Sequence, residues 1–234
     1  MSTHTMTTTA ESARTFTPAH RVNHALTAPI EKRALQWMAV RAPRWLTSDQ
    51  LTVLGFSAQI AAGVTYALCR YNRYTLLLVI VCIVINWFGD SMDGTLARVR
   101  SQQRPRYGFY VDHMADILGA TVLMCGLGIS GFVHWQIAIA MLIAFLLLAA
   151  ESYLATYTLS RFELSQGLFG PTEIRILLVL GNLALLRSPY VGVFGHHILL
   201  FDIGGTIAAA CMLLITVAVA VRHTAKLYCE EPLQ

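Results

Sequence analysis

Charge is what this chain has little of. Only 13% of its 234 residues are Asp, Glu, Lys or Arg, against 56% hydrophobic residues and a mean hydropathy of +0.56. That balance excludes an ordinary soluble domain and points to a polytopic helical membrane protein. Paired cysteines are also missing. Cys69, Cys82, Cys125, Cys211 and Cys229 form no C-x-x-C unit and most lie in apolar runs, so they read as small hydrophobes and not as a zinc or disulfide framework. The short alternating segments of a membrane β-barrel are absent, as are internal repeats. The opening MSTHTMTTTAESARTFTPAH has no apolar core of signal-peptide length. Residues 1–28 read as a disordered, Thr-rich tail, and residues 29–234 as one membrane-embedded domain. The net charge of +4 is modest. On a membrane protein it fits loops facing anionic headgroups, with no nucleic-acid partner.

What is present is long apolar runs. Six are legible, at about 51–69, 74–100, 107–130, 134–159, 171–186 and 199–221, each near the length that crosses a bilayer. Ahead of them, residues 31–45 place Leu35, Met38, Ala39 and Ala42 at i, i+3, i+4 and i+7 among Lys32, Arg33, Arg41 and Arg44. That pattern predicts an amphipathic helix in the membrane interface. The expected fold class is all-α: six transmembrane helices preceded by an interfacial helix. Thr47-Ser48-Asp49 is the expected N-cap cluster of the first span, and Pro171 the first turn of the fifth. Arg100, Arg104, Arg106, Arg161, Arg222 and Lys226 join the four cations of residues 31–45 on one side, against Arg70, Arg73 and Arg187 on the other. The bias puts both termini on the cytoplasmic side; the expected location is a bacterial-type inner or plasma membrane.

Against this scarcity of charge, four aspartates stand at membrane depth. Asp90 and Asp93 share one helix face, which Gly94, Ala97 and Arg98 continue; Gly108, Asp112 and Asp116 form a second stripe at spacings of four. The short SQQRPR link predicts that the two helices are antiparallel neighbours. Intramembrane charge is costly and marks function. Converging carboxylates need positive charge, and all-oxygen ligation suits magnesium, manganese or calcium, not zinc. Gly94, Ala97 and Gly108 leave room for a bulky ligand, and Arg98 offers bidentate contact to phosphate. Together they predict a metal–phosphate site facing the cytoplasm.

This pattern, D-x2-D-G-x2-A-R, a gap of nine, then G-x3-D-x3-D, resembles that of the CDP-alcohol phosphotransferase family at every specified position. Upstream, Thr47-Ser48-Asp49-Gln50-Leu51-Thr52 stands where relatives carry T-P-N-x-L-T. The resemblance implies an enzyme of phospholipid biosynthesis that moves a phosphoryl group from a CDP-linked donor to an alcohol and releases CMP. It implies two divalent ions, Mg2+ or Mn2+. Asp90, Asp93 and Asp112 would hold the one nearest the diphosphate, with Asp116 as general base and ligand to the second. It places Gly94, Ala97, Arg98 and Gly108 around the nucleotide, and it implies a homodimer. The expected donor is CDP-diacylglycerol and the acceptor a small polar alcohol. The alternative is CDP-choline or CDP-ethanolamine donating to diacylglycerol, which Asp112-His113 resembles in its D-H-x-x-D form. Glu173-x-Arg175 resembles the P-E-R segment of the inositol-phosphate branch, so Arg161 and Arg175 are candidate acceptor-binding residues. Glu151, another intramembrane acid, is expected to pair with Arg175 or Arg161, and His196-His197 reads as a loop feature. Two other classes fit the acids less well: a membrane prenyltransferase, which carries two separated acid motifs on more helices, and a cation carrier, which usually shows internal repeats or broken helices.

Overall fold

The computed structural model describes residues 20–22, 27–159, 161–163, 170–193 and 195–231. Of the expected tail, residues 1–19 and 23–26 lie outside the described residues. Among the described residues seven α-helices carry the fold: α1 (Ala28–Arg41), α2 (Ser48–Leu68), α3 (Leu76–Val99), α4 (Pro105–Ile129), α5 (Trp135–Leu159), α6 (Pro171–Arg187) and α7 (Leu200–Glu230). Two small sheets accompany them. In one, β1 (His20–Val22) runs parallel to β2 (Arg161–Glu163); in the other, β3 (Tyr190–Val193) and β4 (His196–Leu199) form an antiparallel hairpin. His196 and His197 lie in that hairpin, not in an irregular loop.

Helix starts follow local chemistry. Thr47 caps α2 in a capping box: its Oγ1 accepts from the Gln50 N–H at 3.2 Å, and Gln50 Oε1 accepts from the Thr47 N–H at 2.9 Å. Prolines open α4 and α6, where their missing N–H costs nothing. The cationic turns also make structural bonds. Arg100 donates to the carbonyls of Ala42, Pro43 and Leu46, and Arg104 pairs with Asp49, whose carboxylate raises the already high pKa of the guanidinium.

The span count needs correction. Among the described residues five helices, not six, are long and apolar enough to cross a membrane: 48–68, 73–99, 105–129, 135–159 and 200–230. The expected fifth span is α6, which has 17 residues and carries Glu173, Arg175 and Arg187. At ~1.5 Å per residue it is about 25 Å long, short of the ~30 Å hydrocarbon core.

A second correction concerns neighbours. α3 and α4 scarcely touch each other; α2 packs against both. Glycine makes this possible. A Cβ at Gly89 would stand 2.6 Å from the Gly55 nitrogen, and a Cβ at Gly126 would overlap the Gly63 carbonyl. Two pairs of small residues thus bring the α2 backbone against α3 and α4. On α1 the expected apolar stripe is the face that docks: Leu35 and Ala39 are buried against Leu51, Met92 and Leu96, with Met38 and Ala42 alongside. Ile30, Trp37 and Val40 stay exposed. A larger core gathers Tyr66, Leu76, Val79, Leu127 and Leu185. Within it Tyr66 and Asn182, both fully buried, bond each other and tie α2 to α6.

Candidate active site

Asp90 and Asp93 lie near the C-terminal end of α3, and Asp112 and Asp116 in the first half of α4. Because α2 separates the two helices, the carboxylates face one another across a cleft floored by α2. All four line it, with Thr52, Gly55, Phe56, Gln59, Asn86 and Ala115, around about 240 Å³ of space that is partly open to solvent. Asp93 is the most constrained. Its Oδ2 accepts from Thr52 Oγ1 at 2.5 Å, its Oδ1 from the Gly94 N–H, and its backbone carbonyl from Ser48 Oγ at 2.9 Å. Asp90 Oδ2 accepts from Arg175 Nη2 at 2.7 Å, a largely buried ion pair that brings α6 to the site. Asn86, one turn before Asp90, donates to the Gly55 carbonyl at 3.0 Å and fixes α3 on α2.

Four carboxylates and one guanidinium leave this cleft with an excess of negative charge. Its acidic donors are all oxygens, the set that hard divalent cations prefer. Among the described residues no three His, Cys, Asp or Glu side chains close into a single ligand set; the Asp90 and Asp93 oxygens turn toward Arg175, Thr52 and Gly94 instead. In donor type and charge the site fits a divalent ion.

The sequence profile of the CDP-alcohol phosphatidyltransferases matches residues 45–222, which include α2 through most of α7. The chain belongs to the CDP-alcohol phosphatidyltransferase family. It is a CDP-alcohol phosphotransferase and an integral membrane protein. Two solved structures share the fold, both of phosphatidylinositol phosphate synthase from Mycobacterium tuberculosis. The structure with CDP-DAG bound is 19% identical, with 86% of this chain and 92% of that chain covered, at a TM-score of 0.51. The structure in complex with manganese and citrate is 20% identical, with 87% and 88% covered, at 0.50. No curated protein sequence gives a significant match.

Within this family member, the other expected residues fall into separate places. Gly94, Ala97, Arg98 and Gly108 lie toward the α3–α4 turn, outside the cleft lining. A Cβ at Gly108 would meet nothing within 4 Å, and one at Gly94 only Arg98 Nη1 at 3.4 Å, so protein packing requires neither glycine. Arg98 is exposed and donates to Thr95 Oγ1 at 2.9 Å. The side chain of Arg161 lies outside the described residues. Glu151 does not pair with Arg175: His223 Nδ1 lies 2.6 Å from its Oε1, because α5 packs on α7 while Arg175 is taken by Asp90. His113 is buried and does not line the cleft; its Nδ1 lies 2.6 Å from the Phe109 carbonyl and its ring packs against Phe109 and Tyr153.

Thr52, Gln59 and Asn86 were not expected at the site. A signal for them exists: Thr52, Gly55 and Gln59 recur at i, i+3 and i+7, a polar and small stripe in an apolar run, and Asn86 precedes Asp90 by one turn.

Proposed function

We propose that the chain transfers a phosphatidyl group from CDP-diacylglycerol to the hydroxyl of a small polar alcohol and releases CMP. The observation that carries this reading is the meeting of Asp90, Asp93, Asp112 and Asp116 in one cleft. The donor is supported by the shared fold of an enzyme solved with CDP-DAG bound.

Asp90, Asp93 and Asp112 would hold one divalent ion, Mg2+ or Mn2+, and Asp116 would reach a second. Bound there, such ions neutralise the diphosphate and make CMP a better leaving group. Asp116, one helical turn deeper than Asp112, takes the proton from the acceptor hydroxyl. The acceptor oxygen then attacks the phosphorus that bears diacylglycerol. The bond from that phosphorus to the bridging oxygen breaks, and CMP leaves with the electron pair. Gly94 and Gly108 leave backbone open to the cytidine diphosphate, with Ala97 and Arg98 beside them. Arg175, and Arg161 with it, supply positive charge for the acceptor. The active site faces the cytoplasm of a bacterial inner membrane, the functional unit is a homodimer, and residues 29–234 form a single domain behind the tail of residues 1–28.

Purified protein given CDP-diacylglycerol carrying labelled cytidine, Mg2+ or Mn2+, and a panel of alcohols is expected to release CMP with one of them. EDTA should abolish the release. Diphosphate in place of CMP would indicate a prenyltransferase, and no release with CDP-lipids or CDP-aminoalcohols would leave a carrier or binding protein.

A further inference from the structure

An acid in the first turn of a helix is ordinarily explained by the macrodipole and faces solvent. Glu31, in the first turn of α1, is half-buried and turns inward. Its Oε1 accepts from Trp87 Nε1 at 2.9 Å and from Ser91 Oγ at 2.9 Å, and both its oxygens lie 3.0 Å from Thr172 Oγ1. One carboxylate thus gathers donors from α3 and α6. Trp87 and Ser91 bracket Asp90, three residues before it and one after. Thr172 precedes Arg175 by three, on the same side of α6. A second tie runs alongside: Glu173 Oε1 accepts from both the N–H and Oγ1 of Thr27 at 2.8 Å, and its Oε2 from the Gly170 N–H at 2.9 Å. The first turn of α1 therefore fixes the distance between the α3 segment that carries Asp90 and the α6 turn that carries Arg175.

We infer that Glu31 is a positioning residue: through Thr172, Trp87 and Ser91 it holds Arg175 on Asp90. It thereby sets how strongly the guanidinium competes with a divalent cation for that carboxylate. This rests on the proposed metal site. Loosening the clip frees Asp90, so cation binding tightens.

The test is a double-mutant cycle read by Mn2+ binding alone, without substrate, from the free-ion resonance signal. Thr172→Val keeps side-chain shape and removes only the α6 arm of the clip. It should tighten Mn2+ binding roughly threefold to tenfold, in the lower part of the range of coupling within one hydrogen-bond network. Arg175→Gln should do the same, and the double variant should bind no more tightly than Arg175→Gln. Glu31→Ala should behave like Thr172→Val, and Glu31→Gln, which keeps an acceptor oxygen, should restore most of the wild-type value. A purely structural role would lower the unfolding temperature and add in full in both backgrounds. Unchanged Mn2+ affinity in Thr172→Val, or full additivity with Arg175→Gln, overturns the inference. If Glu31→Ala does not fold, the threonine variant still decides. CMP release by the wild type separates the two readings. Turnover with an additive cycle removes only the positioning role. A non-additive cycle without turnover removes only the proposed reaction. A wild type that binds no Mn2+ overturns both.

Discussion

At the scale of single residues, the four aspartates divide by what already holds them. Asp93 is bound on both oxygens by Thr52 and the Gly94 N–H, and Asp90 by Arg175; groups held this way are poor proton acceptors and well-oriented ligands. Asp116 lies one turn further into α4 and lines the same cleft, the position of the proposed base. Asp116→Asn keeps size and polarity but cannot take a proton. Its turnover should fall by about 10²–10⁴, the usual contribution of a positioned base, while binding of CDP-diacylglycerol, followed by calorimetry or fluorescence, stays within a few-fold. Near-full rate in this variant would move the base elsewhere. The aspartates were legible because a carboxylate in an apolar run has no structural reason to be there. Thr52 and Asn86 were not, because uncharged polar side chains in helices commonly satisfy themselves on their own backbone, as Thr121 and Thr156 do here.

At the scale of elements, the site depends on a wedge. The motif-bearing helices α3 and α4 were placed side by side on the strength of the short turn between them. The cleft exists because α2 enters between them on the contacts of Gly55 with Gly89 and Gly63 with Gly126. The spans themselves were legible from length and hydropathy. The wedge was not, since a glycine in an apolar helix does not announce its partner. α6 reads as a span of full length because Pro171 and its leucines open like one; at 17 residues it is shorter, and its charged first turn belongs to the site. Gly126→Ala puts a methyl into the Gly63 carbonyl and should destabilise the protein by about 1–3 kcal/mol, the cost of overpacking a close contact. It should also reduce turnover, because it shifts Asp112 and Asp116 relative to Asp90 and Asp93. Gly108→Ala adds the same methyl to open space. It should raise the unfolding temperature slightly, in line with the roughly 0.5–1 kcal/mol that alanine gains over glycine in a helix, and weaken nucleotide binding. Thermal unfolding and nucleotide affinity measured on both variants separate packing from ligand contact.

At the scale of the whole molecule, polar ties between helix ends fix which termini share a side. Asp90 holds the start of α6 at the end of the bundle where α3 finishes. The Leu200 N–H donates to the Pro189 carbonyl, so the end of α6 meets the start of α7. Asp202, in the first turn of α7, accepts from the His134 N–H at 2.8 Å, which sets it beside the start of α5. Glu151 and His223 then pair the far ends of α5 and α7. α6, although short, thus runs from the aspartate end to the opposite one, and α7 returns to the side of α1 and the α3–α4 turn. In the orientation proposed from the loop charges, that side is the cytoplasmic one. In a variant with the exposed Cys125 and Cys211 replaced by serine, the native Cys229 and an added Gln103→Cys should both react with a membrane-impermeant maleimide in inverted vesicles and not in intact cells. Tyr71→Cys, in the α2–α3 turn, should show the reverse pattern once Cys229 is also removed. Labelling of Cys229 and Gln103→Cys from opposite sides would mean that α6 does not carry the chain across, and would place the aspartate cleft and the C-terminus on different faces of the membrane.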